Sequence, residues 1–296
     1  MKLILPSKIK KETVPKITHE VFDNKLQPKY DNFELDLSDV DHIEPGGIVA
    51  LTNIISLLQH KGVKGKLKLG KNDSEKHNKV VNYLIDSYFF ARKFDYFKTR
   101  EPVNNLTILP LEQINFSKIF SWKDDALDRW LKRNTNNNSS FSNVKTVVDE
   151  IYNNIKDHST EEVGSIFGQF IPSKNILILC ISDFGVGIPT LLRDKYPGLK
   201  DNELLEMSIV EGVSTQSTPR NRGAGLKNII RSATINGIGT VYIMSNYGII
   251  EIENEKVIRS KNTDKFYPGT FYEIRIDITN DNLYDSEAKE KFEWSL

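Results

Sequence analysis

The chain has almost no cysteine. One residue in 296, Cys180, cannot close an intrachain disulfide. Its place inside an apolar run marks it as a small core residue, because apolar surroundings raise a thiol's pKa and leave it inert. Net charge is missing too: 40 Lys and Arg balance 40 Asp and Glu, so no overall field favours nucleic acid or an anionic membrane surface. No apolar run reaches the roughly 18 residues of a membrane-spanning helix. MKLILPSKIKK has an apolar core far shorter than the about 7–15 residues of a signal peptide. The histidines and the cysteine show no metal-ligand spacing. These shortages lead to the expectation of a cytoplasmic protein of a reducing compartment that engages neither membrane nor nucleic acid.

The length suits about two domains. The boundary suggested by composition is 134-NTNNNSSFSN-143, a polar Asn/Ser cluster between two patterned halves. In the first half FELDLSDV and KGKLKLG read as strands, IVALTNIISLLQHKG and KVVNYLIDSYFF as helices, and VNNLTILP as a closing strand. This β-α-β-α-β order predicts an α/β layer. The lysines of KGVKGKLKLGK read as the wet face of a strand. In the second half NILILCISD is continuous enough for a strand buried on both faces. NELLEMSIVEG and LKNIIRSATINGIG have helical period, and GTVYIMSN, GIIEIE and TFYEIRIDI read as three strands. The alternation of Tyr272, Ile274 and Ile276 with Glu273, Arg275 and Asp277 predicts one buried and one wet face. Helices on one face of a largely antiparallel sheet is the expected architecture.

The helix 144-VKTVVDEIYNNIKDHST-160 opens the second half. At 100° per residue from Val144, the side chains of Val147, Val148, Ile151 and Ile155 fall within roughly −60° to +40° and form a core stripe. Asp149 and Asn153 fall at about 140–180°, in solvent. Glu150 and Asn154 fall at about 240–280°, along the edge of the stripe, with His158 continuing their row. Only this second row can face a half-buried cleft. Further on, ILILCISDFGVGIP ends a strand in Asp183 with Gly185 and Gly187 behind it. A carboxylate there can accept from a ligand's amino group, and glycines let the backbone pass under a flat ring. EGVSTQSTPRNRGAGLKN runs through Gly223 and Gly225 into a helix, whose exposed N–H groups suit phosphate. A PGT turn enters the last strand at Thr270. The DFG triplet lacks the H-R-D and A-P-E partners of a protein kinase, and GAGLKN lacks the strand and third glycine of a dinucleotide fold.

In this order and spacing, residues 140–280 resemble the GHKL superfamily of ATP-binding domains (gyrase, heat-shock chaperones, histidine kinases, mismatch-repair ATPases). KTVVDEIYNNIKDHS is most similar to anti-sigma-factor kinases. The resemblance implies an ATP site with Mg²⁺. Asn154 would be the magnesium ligand, with Asp157 and His158 beside it. Glu150 would orient or deprotonate the attacking water, and Asp183 would accept the adenine amino group with support from Thr270. Gly185, Gly187 and Ile188 would shape the adenine floor. Residues 214–222, with Thr215, Arg220 and Arg222, would form a lid. Gly223, Ala224, Gly225 and Leu226 would bring backbone N–H groups to the phosphates.

FELDLSDVDHIEPGGIVALTNII, within residues 30–110, resembles a STAS domain, the fold of anti-anti-sigma factors. Where that family has D-S-S-G, this chain has Glu44-Pro45-Gly46-Gly47, with no hydroxyl to phosphorylate, so docking or steric sensing replaces phosphoacceptance. The resulting expectation is a STAS-like regulatory domain at 1–133, a linker at 134–143, an α/β-sandwich ATP-binding domain with a mixed, largely antiparallel sheet at 144–282 and a tail at 283–296. The implied function is a slow ATPase switch acting on a partner protein of unknown identity, with a homodimer as one assembly. A serine/threonine kinase of the anti-sigma type and a nucleotide-stabilised scaffold are the competing readings.

Overall fold

The computed structural model describes residues 2–23, 25–70, 74–94, 105–113, 118–158, 163–210 and 225–284, with the side chain of His158 excepted. The first half carries β1 (Lys2–Ile4), β2 (Lys8–Ile9), α1 (Val14–Val21), β3 (Asn32–Asp36), β4 (His42–Ile43), α2 (Pro45–His60), β5 (Lys64–Lys68), α3 (Glu75–Asp86) and α4 (Phe89–Lys93). Strands β1, β3 and β5 make a parallel sheet in that order, and β2 pairs with β4. Then follow β6 (Ile108–Gln113), α5 (Ile119–Trp122), a π-helical turn (Lys123–Leu127), α6 (Asp128–Thr135), α7 (Ser142–His158), β7 (Val163–Ile171) and β8 (Ile176–Phe184). Last come α8 (Ile188–Leu192), α9 (Asp201–Ser208), α10 (Gly225–Thr234), β9 (Gly239–Glu253) and β10 (Lys256–Asp277). Five strands form one sheet in the order β6-β7-β8-β10-β9, and every neighbouring pair is antiparallel.

The molecule is therefore mixed α/β, but its layers differ from the sequence reading in three ways. Strand β6, assigned above to the first half, hydrogen-bonds to β7 as the edge of the second sheet. A six-residue strand carries no mark of which sheet it joins. Second, the Asn/Ser cluster at 134–143 is not an empty tether. Phe141 within it is fully buried among Val144, Leu131 and Ile181 in the core beneath α7. The proposed boundary thus coincides with the edge of neither layer.

Third, both faces of the sheet are covered. One face packs under α7, α9 and α10 through Leu179, Ile181, Val241 and Tyr272. The other, with Cys180, Phe184, Met244 and Phe271, shares a continuous core with Leu35, Ile54 and Phe90 of the first half. Helix α2 lies between the two sheets, and residues 46–58 of it are all buried. That burial explains why apolar residues surround α2 instead of forming a stripe. Glu273, expected on a wet face, is 2% exposed, because α1 covers it. Lys11 Nζ pairs with its Oε1 at 2.8 Å, and Arg275 Nε donates to the same oxygen. Burying a carboxylate without such partners would be strongly destabilising.

Smaller departures concern single elements. Strand β7, like β1, β2, α1, β4, α5, α6 and α8, has no counterpart in the sequence reading. GTVYIMSN and GIIEIE are one strand, turned at Asn246, whose φ is 52°. Asp149 is half-buried rather than in solvent, because the π-helical turn delivers Lys123 Nζ to its carboxylate at 2.5 and 2.7 Å.

Replacing Phe141 by Ala removes a fully buried ring and is expected to cost about 3–5 kcal/mol. Urea denaturation of the full chain measures this, and a loss below about 0.5 kcal/mol, the range of a solvated position, would contradict the packing.

Candidate functional site

Strand β8 is the middle strand of five and buried from Leu177 to Phe184. Its pleat sends Leu179, Ile181 and Asp183 to the α7 face, and Ile178, Cys180 and Ser182 to the α2 face. Asp183 thus emerges beneath α7, 6% exposed, at the strand's carboxyl end. Its Oδ1 accepts the backbone N–H of Thr270 at 3.1 Å. Burial pushes its carboxyl up to about 7, against the downward pull of that N–H and its own.

The chain around Asp183 is closely fitted. Gly269, at φ +71°, passes so near that a Cβ there would lie 2.6 Å from Gly185 N and 2.8 Å from Asp183 Oδ2. No other residue fits both the conformation and the space. Gly187, at φ +78°, is confined in the same way, its Cα facing Asn246 Oδ1 and Ser245 Oγ. Ser245 ties the pieces together: it accepts from Ile188 N at 3.0 Å, donates to Gly269 O at 2.7 Å and lies 3.1 Å from Thr270 Oγ1. Thr270 therefore supports Asp183 through its backbone N–H, while its hydroxyl faces Ser245.

Helix α7 is held to the sheet by Val147, Val148, Ile151 and Ile155, all buried as the periodicity requires. This leaves Glu150 and Asn154 half-buried on one flank and Asn153 exposed. Asn154 neighbours the buried Tyr272, whose hydroxyl is pushed up by burial and by the Asp183 charge against the opposing pull of the Asn154 side chain. Helix α10 meets the same flank. A Cβ on Gly225 would sit 3.2 Å from Glu150 Oε2 and 3.4 Å from Asn154 Oδ1. Asn228, a helical turn further along, donates from Nδ2 to Glu150 Oε1 at 3.0 Å.

The fold thus brings Glu150, Asn154, Gly225 and Tyr272 together on one side of the sheet, with Asp183, Gly185, Gly187, Ile188, Gly269 and Thr270 at the ends of its central strands. Leu226 is buried and anchors α10. Asp157 is exposed near the end of α7. Thr215, Arg220, Arg222, Gly223 and Ala224 lie outside the described residues. Ser245, Asn228 and Tyr272 were missed in the sequence. The available signal for Asn228 was its spacing of three from Gly225, which makes them neighbours on one helix flank. Ser245 and Tyr272 sit in strands whose partners no local pattern reveals.

Among the described residues no group of three or more His, Cys, Asp or Glu is arranged to hold a metal. No described helix is long and apolar enough to cross a membrane. No protein-family model matches the chain, and no curated protein matches it.

The raised pKa of Asp183 has a definite sign. Its proton stabilises the fold fully below about pH 4, the unfolded value, and that stability is lost as pH rises through about 7. Asp183→Asn is therefore expected to be more stable than the native chain at pH 8, by up to about 4 kcal/mol, with the advantage shrinking toward pH 5. Urea unfolding at the two pH values tests this, and a pH-independent difference would refute it.

Proposed function

We propose that the chain is a Mg-ATP-binding regulatory protein of the GHKL superfamily, a slow ATPase whose nucleotide state controls a partner protein. The observation that carries this reading is the convergence of Glu150, Asn154 and the head of α10 on the same sheet face as Asp183. Those elements are far apart in sequence, and an amide, two carboxylates and a glycine-led helix start have no need of one another for packing.

The residues fit such a ligand. Asp183 is a buried carboxylate whose ionised form is short of donors, which is the partner an adenine amino group requires. Gly225 leaves open the space a side chain would fill between Glu150, Asn154 and the first backbone N–H groups of α10. Magnesium takes few protein ligands beside phosphate oxygens and waters, and offsets their charge when bound, so Asn154 Oδ1 alone suffices from the protein. Glu150, half-buried, would hold the attacking water and accept its proton. The first half, in this reading a STAS-like domain, covers the back of the nucleotide sheet. Its Gly46, in the turn where a phosphoserine would stand, packs against Phe271 instead of facing a partner.

Incubation with γ-labelled ATP tests the reading: released phosphate supports it, labelled protein would replace it with the serine kinase, and neither would overturn it. Asp183→Asn is expected to weaken ATP binding about ten- to a hundredfold in calorimetry, although the same change stabilises the fold. Native affinity should also fall as pH drops below 7, more steeply than in the variant, because protonation removes the negative charge that strengthens the bond from an amino group. Glu150→Ala should retain nucleotide binding and lose about 10²–10⁴ of turnover. Full turnover in that variant removes Glu150 from the chemistry.

A further inference from the structure

We infer that Asn228 is a positioning residue for Glu150: its side-chain amide holds one carboxylate oxygen and turns the other toward the reacting end of the site. The inference rests on the function proposed above. Asn228 Nδ2 donates to Glu150 Oε1 at 3.0 Å, and Glu150 Oε2 is the oxygen that faces Gly225 at the head of α10. The final torsion of a glutamate is broad and roughly two-fold, so nothing in the side chain itself decides where its oxygens point.

The two helices supply that decision. Val147, Val148, Ile151 and Ile155 fix α7, and Leu226, Ile229, Ile230 and Ala233 fix α10 against the same core. A hydrogen bond between two such anchored helices defines the plane of the carboxylate. The chemistry of the donor suits a base: a lysine or arginine here would neutralise the carboxylate and weaken it as a proton acceptor, whereas a neutral amide orients it and leaves its charge in place. Asn228 lies outside the glycine signature, and its amide is engaged with Glu150.

The test compares Asn228→Ala and Asn228→Asp in the full chain. Turnover of ATP should fall about ten- to a hundredfold in the alanine variant, as for loss of an orienting partner. It should fall further in the aspartate variant, where two carboxylates confront each other. Affinity for a nonhydrolysable ATP analogue should stay within about twofold in both variants, against the tenfold-per-1.4 kcal/mol scale of a lost ligand contact. In a Glu150→Ala background, adding Asn228→Ala should cause no further loss, since the partner it orients is gone. Unchanged turnover in both single variants, a loss of affinity and melting temperature in parallel with turnover, or additive losses in the double variant would each overturn the assignment. A native chain that binds no nucleotide would instead defeat the proposed function, and this inference with it.

Discussion

Strand β8 is apolar toward both of its faces, so its hydrophobic residues alone would tolerate a one-residue slip that exchanges the faces. The polar pair at its end removes that freedom. Ser182 turns to the α2 side, where its hydroxyl meets the Tyr267 hydroxyl at 2.5 Å and its carbonyl accepts from Asn53 Nδ2 at 3.2 Å. Asp183 turns to the α7 side and meets Thr270. Exchanging them would bury a carboxylate against a hydroxyl-and-amide cluster already satisfied internally and leave Asn53 without its acceptor. With β8 in this register, α7 lies over Leu179 and Ile181, on the same face of the sheet to which Asp183 turns.

The same strand couples the halves of the chain. Asn53 of α2 accepts from Ser165 Oγ of β7 at 2.7 Å and donates to β8, and Lys11 near α1 pairs with Glu273 of β10 while lying 4.1 Å above the Tyr242 ring. These contacts cross an apolar interface that includes Phe271 and Cys180. Dispersion and burial supply most of its stability, whereas the buried polar groups select one arrangement, since a shifted interface would strand them.

Asp183 is costly to ionise in this arrangement. It sits where burial raises its pKa to about 7, with a single neighbouring residue's N–H to hold its charge. Strongly shifted buried carboxylates are over-represented at functional sites. Gly269 and Gly187 show the same economy of space: backbone in conformations that only glycine adopts readily, pressed against the carboxylate and the Ser245 hydroxyl.

The polar residues on the flank of α7 and at the end of β8 were legible in the sequence because their patterns are local. Helical period alone separates Glu150 and Asn154 from the core stripe of α7, and an apolar run that ends in Asp183 between glycines needs no tertiary context to be noticed. What the sequence left open is everything that depends on a distant neighbour. The sheet to which β6 belongs, the burial of Phe141, the ion pairs of Asp149 and Glu273, and the partnership of Asn228 with Glu150 each require a second segment to arrive. Periodicity reports which face of an element is apolar and never what covers the other face. Composition and spacing therefore determined many of the elements and the polar groups on the flank of α7 and at the end of β8, whereas packing across the two faces of β8 decided which groups meet.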